Sequence, residues 1–271
     1  MQGQSLTTID KERKLGAMFD MTARLWTLPK VLGKAGCAFH IDLNAGCGFN
    51  HDFRVPGSPL VFMQVMRSKY PQVPYRAWFI DKNPEAIREL SERIQQEYNS
   101  PPYVHVVCAD NGVALQRIAD VIPRYATGMV VVDPNGWLYR NKETGDGVHV
   151  DALRSMMLTH ERMDVVMNLN AQFYRRARGL PQTFPHIRSV SEFHWLLNKS
   201  DWLITNPVHN GHTDFVCVVG RNFATGAYAA YDWHRLTSKA GMKICERLEI
   251  AAHRPQSPQS LLFTQEGVQP A

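Results

Sequence analysis

From Asp10 to Trp26 the apolar residues Leu15, Met18, Phe19, Ala23 and Leu25 recur at helical spacing, with Lys and Arg opposite. That pattern predicts an amphipathic helix, ended by Leu28-Pro29. From Ala38 onward the pattern changes to short apolar runs separated by helical stretches. Strands are expected over Ala38–Leu43, Arg76–Asp81, Tyr103–Ala109, Met129–Val132 and Asp164–Leu169. Helices are expected between them over Pro59–Lys69, Pro84–Tyr98 and Gly112–Ile122, and from Asp151, read as a cap, to His160. The clearest helix start is Asn83-Pro84-Glu85, with Asn as N-cap and Pro at the first helical position.

The remaining stretches carry turn chemistry or charge. NHDFRVPGSPL, beginning at Asn50, is too rich in Pro, Gly and polar residues to predict regular structure. Tyr139–Val148 and the basic Phe173–Arg188 read as loop, and a helix is expected over Val190–Asn198. Trp202–Asn206 and Asp214–Gly220, joined through an Asn-Gly turn, read as a β-hairpin. The fold class is therefore α/β: a mostly parallel sheet with right-handed crossovers, closed by an antiparallel pair. Residues 1–36 form an N-terminal helical segment packing on the core, 37–253 the main domain and 254–271 a flexible tail.

Composition changes this picture little. The net charge of +5 leans weakly towards a polyanionic partner, because clustering matters more than the sum. The densest basic cluster, YRRARG, is either a solvated face or a phosphate contact made by Arg175, Arg176 and Arg178. Five cysteines are scattered with no C-x-x-C pair, three of them in apolar strand-like runs. They read as small buried hydrophobes in a reducing cytosol, with no disulfide framework and no zinc site. No apolar run reaches the roughly 18 residues that span a bilayer. The polar start MQGQSLTTIDKERK is unlike a signal peptide. A soluble cytoplasmic protein without a membrane partner is expected.

The candidate chemistry lies at the strand ends. In CAFHIDLNAGCGFN an apolar strand ends in Asp42 and passes into a loop with Ala45, Gly46 and Gly48. Glycines there can take φ > 0 and let a ligand lie against the backbone, outside the carboxyl ends of the strands. Asp81, Asp110 and Asp133 close the next three strands, so four carboxylates would surround one crevice. Taken singly, each is equally an ordinary helix N-cap. His51 and Asp52 are candidates for proton transfer or plain solvation, Asn168 and Asn170 for substrate contact, and Trp195 and Trp202 for the core. NAD competes as cofactor for such a site, but His51 stands where G-x-G-x-x-G has its third glycine.

Over Cys37 to Arg221 these features resemble the seven-stranded class I S-adenosylmethionine-dependent methyltransferases. Within that class IDLNAGCG, GSPL at Gly57 to Leu60, FIDKNPEA and VVVDPNG are most similar to the bacterial three-Cys-motif partner proteins. The resemblance implies a Rossmann-like seven-stranded sheet with a terminal antiparallel hairpin, and S-adenosyl-L-methionine as cofactor. It implies the backbone of Ala45, Gly46 and Gly48 against the methionine part, and Asp42 receiving the ammonium directly or through water. Asp81 would accept the ribose hydroxyls, and Asp110 with Asn111 would meet the adenine.

Asp133-Pro134-Asn135-Gly136-Trp137 stands where amino-methyltransferases carry (Asp or Asn)-Pro-Pro-(Tyr or Phe). By that likeness Asp133 and the Pro134 carbonyl would accept the hydrogens of an exocyclic base amine, adenine N6 first, in DNA or RNA. Asn135 replaces the second proline and Gly136 the aromatic, so base stacking would pass to Trp137 or Tyr139. Two alternatives stay open. One is a methyltransferase of small molecules or proteins with an enclosed pocket. The other is a non-catalytic cofactor-binding subunit, since the chain has no large target-recognition domain and an associated protein would then read the target.

Overall fold

The computed structural model describes residues 7–133, 147–170, 197–209, 214–222 and 232–252. The chain begins α1 (Thr7–Trp26), α2 (Pro29–Leu32), β1 (Ala38–Asp42), β2 (Phe49–Asn50), β3 (Val55–Pro56), α3 (Ser58–Lys69), β4 (Tyr75–Asp81), α4 (Pro84–Tyr98) and β5 (Val104–Cys108). It continues α5 (Asn111–Val121), β6 (Thr127–Val132), α6 (Val150–Thr159), β7 (Met163–Asn170), β8 (Asp201–Thr205), β9 (Val208–His209), β10 (Asp214–Arg221), β11 (Trp233–Arg235) and α7 (Lys239–Ala252).

The main sheet has the order β11-β8-β10-β7-β6-β1-β4-β5, with β9 paired to β10. Strands β5, β4, β1, β6 and β7 run parallel to one another, whereas β10 runs antiparallel to both β7 and β8. The expected antiparallel pair is thus present, and β11 adds a further edge strand on β8. From β1 the chain winds outward through β4 to β5, then returns to β6 on the other side of β1. That reversal makes a topological switch point between the carboxyl ends of β1 and β6, where ligands of open α/β sheets bind.

Every residue of β1 and β6 is buried, as expected of parallel strands covered on both faces. One face packs Phe39, Ile41 and Val130 against Leu115 of α5, Leu153 of α6 and Leu248 of α7. The other packs Ala38, Phe79 and Met129 against Phe19 of α1, Phe62 of α3 and Leu90 of α4. The periodicity seen in the N-terminal segment is therefore the print of a core-facing helix. At the far end of the sheet, Arg221 on β10 is fully buried and donates to Asp164 on β7 at 2.6 Å.

Local capping explains where the helices start. The Asn83 side chain accepts from the amides of Glu85 and Ala86, as its position before Pro84 predicts. For α6 the expectation needs correcting: His149 is the N-cap residue, and Asp151 sits in the first turn, where its charge favours the helix dipole. The stretch after the glycine loop also departs from expectation. It forms a two-stranded ribbon, Phe49 opposite Pro56 and Asn50 opposite Val55, too short for any period to reveal. Among the cysteines Cys217 is buried, Cys37 half-buried and Cys108 exposed, so the reading of buried strand cysteines holds only for the first. Trp202 is buried in the core. The basic segment 173–188, Trp195, most of the expected loop 139–148 and helix 190–198, and the tail lie outside the described residues.

His40, in the middle of β1, has no exposed surface. Its ring stacks on Phe62 with centroids 3.7 Å apart and meets Phe19 edge-on at 5.4 Å. Neither ring nitrogen has a hydrogen-bond partner among the described residues, and burial lowers its pKa to about 3. The unfolded chain takes up a proton below the imidazole's ordinary value of 6.5 and the native ring does not, so stability falls as pH drops from 6.5 towards about 3. Replacing the ring by an apolar one of similar shape removes two unmet polar atoms. His40→Phe is expected to raise unfolding stability by about 1 kcal/mol in urea titrations and to flatten its dependence on pH over that window. A destabilised His40→Phe would mean that the imidazole nitrogens do useful work in the core.

Candidate functional site

At the carboxyl end of β1, Asp42 has no exposed surface. Its Oδ2 accepts from Ser58 Oγ at 2.6 Å, and its Oδ1 accepts from the Asn44 amide at 3.2 Å. Ser58 opens α3, which gives the GSPL sequence a physical role: it brings a hydroxyl under the glycine loop. Burial pushes the Asp42 carboxyl up to about 7; the bonds from Ser58 and Asn44 oppose this, and the charges of Asp133 and Asp81 reinforce it. Asp42, expected to receive a ligand ammonium directly or through water, is fully buried and spends an oxygen each on Ser58 and Asn44. Asp42 lies beneath the loop and shapes it.

Asp81, at the end of β4, holds the same loop from the side. Its Oδ2 accepts from the Gly46 amide at 3.0 Å, and its Oδ1 accepts from the Asn83 amide at 2.9 Å. Ala45 is tied in through its amide to Ile80 O at 2.9 Å. Gly46 has φ 58°, and a Cβ placed on it would meet nothing within 4 Å among the described residues, so this backbone borders open space as a ligand cradle requires. Gly48, at φ 70°, differs: a Cβ there would run into Leu90 on α4, so the loop packs on that helix. One glycine borders open space and the other is packed closely.

Asp110 and Asn111 serve mainly the backbone. Asp110 Oδ1 accepts from the amides of Gly112 at 3.0 Å and Val113 at 3.3 Å, which caps α5, and lies 3.4 Å from His149 Nε2. Asn111 Nδ2 donates to Gly147 O at 2.7 Å, and its Oδ1 accepts from the His149 amide at 3.3 Å. The pair therefore fastens the entry of α6 to the start of α5.

Asp133 ends β6 across the switch point. Its Oδ2 accepts from Lys11 Nζ at 2.7 Å, and its Oδ1 accepts from Asn168 Nδ2 at 2.9 Å. Lys11 Nζ also stands 3.5 Å from Glu12 Oε1. Burial alone would raise the Asp133 pKa, but Lys11 and Asn168 outweigh it and hold the carboxyl below its ordinary range. Burial likewise works against the Lys11 ammonium, and Asp133 and Glu12 more than restore it, leaving its pKa raised. Glu12 is pushed by burial up to about 7 in spite of Lys11. Two buried acceptors here, Glu12 Oε2 and Asn168 Oδ1, have no hydrogen-bond partner among the described residues.

The structure thus joins Asp42, Ala45, Gly46, Gly48 and Asp81 on one side of the crevice and Asp133 with Asn168 on the other. His51, exposed, pairs with Glu89 at 2.6 Å rather than with Asp52. Pro134, Asn135, Trp137, Tyr139, Arg175, Arg176 and Arg178 lie outside the described residues. Three members of the site were missed from sequence: Lys11, Glu12 and Ser58. One signal existed for Glu12, which stands three residues before Leu15 and seven before Phe19 and so lies on the apolar stripe of α1.

No protein-family model matches the chain, and no curated protein matches its sequence. By structure it is similar to protein LPL1258 of Legionella pneumophila, at 13% identity over 80% of this chain and 88% of that one, with a TM-score of 0.50. It is also similar to a SAM-dependent methyltransferase from Agrobacterium tumefaciens, at 11% identity over 80% of this chain and 62% of that one, with a TM-score of 0.45. A third likeness is to human methyltransferase 10 domain containing protein, at 8% identity over 82% and 86% of the two chains, with a TM-score of 0.42. At such identity the likeness to the Legionella protein speaks to the fold, a mixed α/β architecture around a large, mostly parallel sheet.

The Lys11–Asp133 contact predicts a specific energetic pattern. Lys11→Met leaves a half-buried carboxylate without its cation and is expected to cost about 2 kcal/mol of unfolding stability. Asp133→Asn in that background removes the stranded charge and is expected to return most of the loss. Urea denaturation of the four proteins measures the coupling, and simple additivity would show that the two groups do not depend on each other.

Proposed function

We propose that the chain is a class I S-adenosylmethionine-dependent methyltransferase acting on an exocyclic amine of a nucleic-acid base, adenine N6 first. The observation that carries this is the arrangement at the β1–β6 switch point. An acid-held glycine loop, open in front of Gly46, faces Asp133 and Asn168 at the neighbouring strand ends. The likeness of IDLNAGCG, GSPL and VVVDPNG to the three-Cys-motif partner proteins supports the same reading, and membership of that family is part of the proposal.

S-adenosylmethionine, when bound, supplies an electrophilic methyl group on a sulfonium. The backbone of Ala45 and Gly46 would line its methionine part, with Gly48 packing the loop on α4 behind them, Asp81 would accept the ribose hydroxyls, and Asp110 and Asn111 would flank the adenine. Asp42 supports the loop from below. A base amine is a weak nucleophile because its lone pair is delocalised into the ring. Asp133 Oδ1, Asn168 Oδ1 and the Pro134 carbonyl would accept hydrogen bonds from that amine and orient its lone pair. Glu12, with a carboxyl at about 7, takes the proton released on methylation. Trp137 or Tyr139 stacks on the flipped base, and Arg175, Arg176 and Arg178 contact phosphates.

A second reading is a non-catalytic cofactor-binding subunit whose protein partner recognises the target. One observation favours it: both Asp133 oxygens are already held, by Lys11 and Asn168.

Calorimetry and a tritiated methyl-transfer assay across DNA and RNA pools separate the two. Asp81→Ala is expected to weaken S-adenosylmethionine binding by roughly tenfold or more. Asp133→Ala is expected to keep binding and lose transfer; cofactor binding with no transfer to any pool selects the subunit reading. The site also predicts a pH dependence. A cationic ligand favours ionised Asp42 and Glu12, each titrating at about 7, so S-adenosylmethionine affinity should rise from about pH 6 to about pH 8. S-adenosylhomocysteine, lacking the sulfonium charge, should show a shallower rise. Equal slopes for the two ligands would remove the carboxyl pair from the cofactor's surroundings.

A further inference from the structure

The loop that carries Gly46 and Gly48 also presents metal-ligating side chains towards α4. Cys47 lies between the two glycines, His51 follows β2, and Glu89 stands on α4 one turn before Arg93. A sulfur of Cys47, a ring nitrogen of His51 and a carboxylate oxygen of Glu89 all lie within 4.8 Å of one another. His51 Nε2 is 2.6 Å from Glu89 Oε1. Arg93 donates to that same oxygen from Nε at 3.1 Å and Nη2 at 2.9 Å. Its guanidinium lies 4.2 Å over the Phe49 ring, which meets His51 edge-on at 5.5 Å. The imidazole and carboxylate are thus already oriented by their neighbours. Arg93 and His51 hold the Glu89 carboxyl below its ordinary pKa although burial opposes them.

We propose that Cys47, His51 and Glu89 bind a zinc-class divalent ion that fastens the glycine loop to α4. One thiolate, one imidazole and one carboxylate form a donor set suited to Zn²⁺, whereas Mg²⁺ and Ca²⁺ select oxygen ligands. Tetrahedral zinc with bonds of about 2.0–2.3 Å places its ligand atoms roughly 3.4–3.6 Å apart. Side-chain rotations that draw Cys47 inward and open the His51–Glu89 contact by about 1 Å meet that spacing. On binding, the Cys47 thiol gives up its bond to Phe49 O, now 3.0 Å, and its proton leaves to solvent. Neutral His51 contributes a ring lone pair, Glu89 its charge, and the fourth position is left to water. Arg93 remains as the outer hydrogen bond that orients Glu89. The expectation of no zinc site rested on the lack of a C-x-x-C pair, and this cluster is assembled from two distant stretches instead. It stands on the loop and α4 alone, independent of the methyl-transfer reading.

The full chain, freed of metal and titrated with Zn²⁺ and Co²⁺, tests the site by calorimetry and absorption. One ion per chain, a thiolate-to-cobalt charge-transfer band and a raised Tm are expected. Cys47→Ser should abolish the band, and His51→Ala and Glu89→Gln should each weaken binding by roughly tenfold or more. Cys108→Ser, away from the cluster, should bind like the parent. Circular dichroism of the metal-free variants shows whether each is folded; should Cys47→Ser fail to fold, the His51 and Glu89 variants carry the test. Absence of binding at micromolar metal, or binding unchanged in the folded variants, overturns the proposal.

Discussion

The Asp133 carboxylate, at the end of a fully buried strand, is the constraint on which the rest of the crevice depends. A charge in that position requires a partner, because the solvation it loses is not returned by apolar neighbours. The partner is Lys11, from a helix that precedes the first strand in the chain. The contact fixes where α1 crosses the sheet, and α1 in turn supplies Leu15, Phe19 and Trp26 to the core above β1. The N-terminal helix is for this reason part of the core and part of the site at once.

The other strand-end acids obey the same rule with different partners. Asp42 takes a hydroxyl and an amide, and Asp81 takes two amides, one of them from Gly46. The conformation of the glycine loop is thus set by the acids that need its N–H groups. Environment then separates carboxyls of one chemical type. Asp133, beside an ammonium, stays ionised, while Asp42 and Glu12, buried with weaker compensation, titrate near neutrality. Such divergence among neighbouring acids is the usual means by which one site holds both a fixed charge and an exchangeable proton.

Much of the fold was legible before any coordinates. The core strands β1 and β4 to β7, the Asn83 cap and the antiparallel closing pair follow from apolar runs and turn residues, which act locally. The β2–β3 ribbon, β11 and α7 went unread: two-residue strands have no period, and β11 exists because β8 offers it an edge. In the site, Asp42, Gly46, Gly48, Asp81, Asp133 and Asn168 could be named from their places at strand ends. Lys11 and Ser58 could not, since an isolated Lys on a helix or Ser before Pro carries no sign of a partner far along the chain.

The sequence by itself determined which residues stand at the carboxyl ends of the parallel strands, because alternation of strand and helix leaves one handedness and one end for the connecting loops. Only the tertiary structure decided what each of them does. Asp42 became a support beneath the loop and Asp110 a cap, while Asp133 became a paired charge. Gly46 faces space and Gly48 faces Leu90. The physical reason is that burial and partnership are properties of places where separate segments meet, and the crossing of α1 over the β1–β6 switch point is encoded in no single stretch of the chain.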